Sequence, residues 1–133
     1  MTLSARIAPH LPYLRRFSRA VSGSQSSGDA LVAATLEALI ADTSIFPEAS
    51  TDKIALFRLF TSLFETLDVP VPEGTPSSAW EKRAMSNLSS LAPRPRQAFL
   101  LVAVENFRPE EAAEILETDM KGINTMLREA SEE

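Results

Sequence analysis

Apolar residues recur every three or four positions along most of this chain, and alternation with period two is almost absent, so the pattern predicts an all-helical protein. Leu11, Leu14, Phe17 and Val21 share one face of a first helix over 11–21, with Arg15, Arg16 and Arg19 largely off it. SGSQSSGD then predicts a loop that ends at Asp29, the N-cap of a second helix. The stripe of that helix is Leu31, Val32, Thr35, Leu36, Leu39 and Ile40, and it stops near Asp42. Over 50–67, STDKIALFRLFTSLFETL opens with a capping residue and is apolar nearly all round. Arg58, Thr61, Ser62 and Glu65 share its only polar face, which predicts a helix buried in the protein or in a complex.

DVPVPEGTPSS, with Pro70, Pro72, Pro76 and Gly74, cannot propagate helix or sheet and predicts a linker over 68–78 between one unit at 1–67 and another at 79–133. The second unit opens with Ser78 and Glu81 at capping-box spacing, followed by Trp80, Ala84, Leu88 and Leu91 along one face. APRPR breaks that helix, and Pro95 suits the first turn of the next, whose predicted buried face is Phe99, Val102 and Ala103. Pro109 suits the first turn of another. EEAAEILETDMKGIN, residues 110–124, then has the spacing of a helix-turn-helix: a small residue, Ala113, where two helices touch, a turn around Glu117 to Asp119, and Ile123 with Leu127 facing inward.

Charge changes that picture. The 133 residues carry 18 acidic against 13 basic side chains, a net charge of -5. Over 109–133 eight side chains are acidic and only Lys121 and Arg128 are basic, so the face that would enter a DNA groove repels phosphate. A packed helical pair with a solvated acidic face has the same spacing. With no cysteine, disulfides and thiolate metal sites are excluded. The longest apolar run, AFLLVAV, is far shorter than the roughly 20 residues of a membrane span, and MTLSARIAPHL lacks the parts of a secretory signal, which predicts a cytoplasmic protein. His10 is the lone imidazole and has no partner set for catalysis or metal binding, while Glu110 and Glu111 offset a helix dipole. No glycine-rich phosphate loop exists, so neither an enzyme nor a cofactor is expected.

LAPRPRQAFLLVAVENFRPEEAAEILETDMKGINTMLREA resembles the helix-turn-helix domain of an extracytoplasmic-function sigma factor, and SGDALVAATLEALI resembles the core helix of the sigma domain that meets RNA polymerase. Both segments, with the loop between them, are more similar still to the sigma-factor-like output domain of PhyR-type response regulators, over essentially the whole chain. The resemblance implies an all-α fold of two small helical domains like the two conserved domains of such a sigma factor, the second containing the helix-turn-helix. It also implies the activity: an anti-anti-sigma factor of the general stress response that mimics a sigma factor and sequesters a small anti-sigma factor of the NepR type. Where sigma factors carry basic residues, this chain has Asn124, Met126, Glu129 and Ser131. Ala33 and Ala34 replace their polymerase-contacting Gln and acidic residue, and Glu117 stands where glycine is frequent, which suggests a different turn geometry.

A NepR-type partner is expected to dock as helices in apolar grooves. Ala30, Ala34 and Ala38 make a smooth line on the second helix, with Leu36 and Ile40 beside it. Phe107, Met120, Ile123 and Met126 could line a second groove, methionine being adaptable in such surfaces. The resemblance further implies a receiver domain after residue 133, which covers the sigma-like part; without it the chain is expected to be a fragment that binds the anti-sigma factor constitutively. No binding of DNA, membrane or a small-molecule ligand is expected. The rival readings are a genuine DNA-binding sigma factor or helix-turn-helix regulator, and a helical adaptor unrelated to transcription.

Overall fold

The computed structural model describes residues 2–65 and 92–131, and every regular element among them is helical. A short helix α1 (Leu3–Ile7) and a 3-10 turn (Ala8–His10) lead into α2 (Leu11–Ser22). After α2 come α3 (Gln25–Ala41), a second 3-10 turn (Thr43–Ile45) and α4 (Asp52–Glu65). The second segment contributes α5 (Arg94–Ala103), α6 (Pro109–Ile115) and α7 (Met120–Ser131). The linker expected at 68–78 and the face of Trp80, Ala84, Leu88 and Leu91 lie outside the described residues.

Local chemistry sets the ends of these helices. Gly23 takes a left-handed backbone (φ 83°) that closes α2, and the chain turns at once into α3. Ser24, whose hydroxyl accepts from the Ser27 amide at 3.1 Å, caps α3, so the N-cap lies five residues before the expected Asp29. The Asp29 carboxylate is instead engaged by the Arg19 guanidinium at 2.8 and 3.0 Å. This is possible because α2 and α3 approach closely at Gly28, whose carbonyl accepts from the Ser18 hydroxyl at 2.7 Å. Thr51 starts α4 by accepting from the Ile54 amide at 3.1 Å.

The apolar side chains of both segments form one cluster. Leu14, Phe17 and Val21 from α2 and Leu31, Val32 and Leu39 from α3 meet Ile54, Leu56, Phe57 and Phe60 of the central α4. Aromatic contacts run through it: Phe17 lies 5.5 Å from Phe57, and Phe57 stands edge-on to Phe107 at 5.0 Å, joining the first segment to the second. Two expectations are corrected here. On α5 the buried residues are Ala98, Leu100 and Leu101, whereas Phe99 and Ala103 are exposed and Val102 is half-buried. On α4, Thr61 is buried, because its hydroxyl hydrogen-bonds carbonyls at Arg58 and, across the segments, Ile115.

Candidate partner-binding surface

The helix-turn-helix is built as the spacing predicted, with Pro109 in the first turn of α6 and Ala112, Ala113, Ile115 and Ile123 buried between its helices. Glu111 caps α6, its carboxylate accepting from the Arg108 amide at 2.9 Å. At the other end the Glu117 amide donates to Glu114 O at 3.3 Å and the Thr118 amide to Ala113 O at 2.9 Å, the two bonds of a Schellman motif. That motif needs a left-handed residue, and Glu117 supplies it with φ 55°. The suggestion of a different turn geometry is therefore corrected: a glutamate takes the conformation in which glycine is usual.

Glu117 is held by the first segment. Its carboxylate accepts from Arg58 Nε and Nη2 of α4 at 3.1 and 3.0 Å. Beside it the last carbonyls of α6, which have no partner within the helix, are capped from elsewhere: Thr61 Oγ1 donates to Ile115 O at 3.2 Å, and Arg94 donates to Leu116 O. Just before α4, Ser50 donates its amide to the Glu114 carboxylate at 2.8 Å and its hydroxyl to the same group. Lys53 Nζ sits over the rings of Tyr13 and Phe107, at 4.4 and 4.9 Å from their centroids. The Ala92 amide donates to Val21 O at 2.8 Å. None of these pairings could be read from local sequence.

The nine candidate docking residues separate by exposure. Ile40 projects from the last turn of α3 with 82% of its surface exposed, and Met120 opens α7 at 43%. Ala30, Ala34, Leu36 and Ala38 are half-buried along α3, and Met126 is half-buried on α7. Phe107 and Ile123 are core, with Phe107 only 6% exposed beneath Phe57 and Lys53. Phe99, expected on the buried face of α5, is an exposed apolar side chain, as are Tyr13 and Val104, which the spacing did not single out. An open cleft of about 550 Å³ between α1, the loop after α3 and α4 is lined by none of the nine; Arg6 and Asp52 pair in its wall at 2.7 Å. Among the described residues no group of acidic or histidine side chains could hold a metal ion, and no helix is long and apolar enough to cross a membrane.

The family model for the sigma2 domain of PhyR matches residues 7–61, and that for the sigma-like domain of the response regulator PhyR matches 88–133. The phyllosphere-induced regulator PhyR of Methylorubrum extorquens is 38% identical over the whole chain, which spans 49% of its length. The response regulator PhyR from Brucella abortus superimposes with a TM-score of 0.79 at 57% identity, over 98% of this chain and 44% of that one. The PhyRSL–NepR complex from Sphingomonas sp. Fr1 gives a TM-score of 0.68 at 38% identity, over 98% of this chain and 85% of that one. The chain thus spans about half the length of the curated relative it matches and most of the sigma-like domain solved with NepR.

Proposed function

The chain belongs to the PhyR family of response regulators, and on that premise we propose that it is an anti-anti-sigma factor, acting in the cytoplasm by mimicry of a sigma factor. It captures a small anti-sigma factor of the NepR type, and the sigma factor which that protein held is released by mass action. The chain itself catalyses nothing and needs no cofactor. In the full-length protein the receiver domain of the same chain is the second partner and governs access to the sigma-like part.

One observation carries this reading. The helix-turn-helix keeps its frame, from the capped start of α6 through the Schellman turn to the buried Ile123, while the outer side of α7 presents Met120, Asn124, Thr125 and Glu129 with only Lys121 and Arg128 as cations. A frame kept without phosphate-binding charge suits recognition by a protein better than recognition of a duplex. The solved complex of a 38% identical domain with NepR supports the choice of partner. Ile40, with Ala30, Ala34, Leu36 and Ala38 beside it on α3, and Met120 with Met126 on α7 are the surface we assign to docking helices. Phe107, packed against Phe57 of α4, joins that surface only where the segments part, and Ile123, buried inside the helix-turn-helix, supports it from beneath.

The test is a calorimetric titration of the chain with its cognate NepR-type anti-sigma factor, followed by addition of the sigma factor. Saturable binding at or below micromolar concentration, with competition between chain and sigma factor, is expected. Absence of heat at that concentration, or tight binding to promoter duplex that weakens steeply with salt, would overturn the reading.

A further inference from the structure

We propose that the turn between α6 and α7 is a lock that holds the second segment on α4, with Glu117 as its bolt and Arg58 and Thr61 as its keeper. A left-handed backbone is unfavourable for a residue with a Cβ, and glycine is the ordinary solution at this point of a Schellman motif. Glu117 adopts it nevertheless, and its side chain closes on Arg58 of the other segment. Glycine would serve the turn better and the seam not at all. Next to the bolt, Thr61 caps Ile115 O, and Ser50 holds Glu114, so consecutive groups at the end of α6 are satisfied from the first segment. Behind the lock lie Phe57 and Phe107, edge to face at 5.0 Å, with Lys53 over the Phe107 ring. Release of the turn is therefore the step that uncovers Phe107, and it is a property of the chain alone, independent of any partner.

Local and long-range effects oppose each other at position 117, which makes the lock testable. The amide of Ala92 bonds across the seam to Val21 O and lies far in sequence from the lock, so its hydrogen exchange reports parting of the segments. Glu117→Gly and Arg58→Gln are each expected to speed that exchange about two- to fivefold at low salt, the range of a single partly exposed ion pair. The amide of Leu39, inside α3, should keep its rate, which separates parting from global unfolding. In the unaltered chain added salt speeds the Ala92 amide; in both variants salt has little further effect. The exchanged pair Arg58→Glu with Glu117→Arg restores slow exchange, and Glu117→Gln, which keeps the backbone demand and removes the charge, behaves as Arg58→Gln. Unchanged exchange at Ala92 in all variants, or slower exchange in Glu117→Gly, would overturn the lock. Both outcomes are read without the anti-sigma factor, so failure of the lock is distinct from failure of the proposed function.

Discussion

The buried carboxylate of Glu105, at the end of α5, is closed by the guanidinium of Arg16 on α2, 89 residues earlier, through hydrogen bonds of 2.9 to 3.3 Å. Arg16 is half exposed, whereas the Glu105 side chain is almost wholly covered. The contact raises the Arg16 guanidinium above its ordinary value, first through the hydrogen bonds and then through the charge of Glu105. The two ends of the pair are therefore unequal. Removing Arg16 strands a carboxylate away from water, while removing both charges leaves nothing unsatisfied.

Arg16→Ala is accordingly expected to lower unfolding stability by about 1–3 kcal/mol, the cost of a buried charged group left without its partner. The double variant Arg16→Met with Glu105→Leu should recover most of that loss. Urea unfolding at neutral pH measures both, and a double variant no more stable than Arg16→Ala would mean that the covered carboxylate finds another partner.

Gly28 marks the closest approach of α2 and α3. A Cβ there would lie 2.5 Å from both Cα and N of Arg19, and these are backbone atoms that cannot rotate away. Gly28→Ala should therefore destabilise by roughly 1–3 kcal/mol through overpacking, against a gain in helix propensity of about 1 kcal/mol. Separation of the helices would also break the bond from Ser18 and weaken the Arg19–Asp29 pair. Thermal unfolding of the variant, with Ala20→Gly on the exposed side of α2 as the comparison, gives the sign; equal or higher stability would contradict the close packing.

The stripe spacing made the helical class legible, and so did the prolines that open α5 and α6. Periodicity identified Leu14, Phe17, Val21, Leu31, Val32 and Leu39, all buried in the core. It failed on α5, where apolar residues occupy every face and only tertiary packing selects Ala98 and Leu101 over Phe99. It misplaced the start of α3 because Ser24 and Asp29 are both good caps, and the choice fell to Arg19, which claims Asp29 from another helix. The seam was invisible for the same reason: its pairs are separated by 50 to 89 residues. Of the candidate docking residues, Ile40 and Met120 are exposed and Phe107 and Ile123 are not, a distinction that spacing cannot make because core and groove need the same residue types.

Acid should destabilise the chain in a definite window. Asp29 is held below its ordinary range by hydrogen bonds from Arg19, Asp42 by those from Ser44, and Asp52 by those from Arg6. Each group is depressed in the folded state, so its contribution is complete above the unfolded carboxylate value and is lost as pH falls through the lower folded value. Stability is thus expected to be flat in these groups above neutral pH and to decline from about pH 4 downward. The triple variant Asp29→Asn, Asp42→Asn, Asp52→Asn should show a shallower acid decline in melts between pH 7 and pH 2.5. An unchanged slope would assign acid lability to other carboxylates.

Capture of the anti-sigma factor should depend on the exposed members of the proposed surface and not on its buried ones. Ile40 lies in the last turn of α3 with most of its surface exposed, so Ile40→Ser removes an apolar docking contact without opening the core. Together with Met120→Ser on α7 it is expected to weaken binding about tenfold or more, the scale of losing one to two buried apolar anchors, while stability changes by less than about 0.5 kcal/mol. Phe107→Ala should do the reverse in the free chain, costing about 3–5 kcal/mol of stability because it empties the space between Phe57 and Lys53. Titrations with the NepR-type protein, run beside urea unfolding of each variant, separate the two effects. Full affinity in the Ile40→Ser, Met120→Ser double variant would move the docking surface elsewhere, with Tyr13, Phe99 and Val104 as the other large apolar side chains exposed among the described residues.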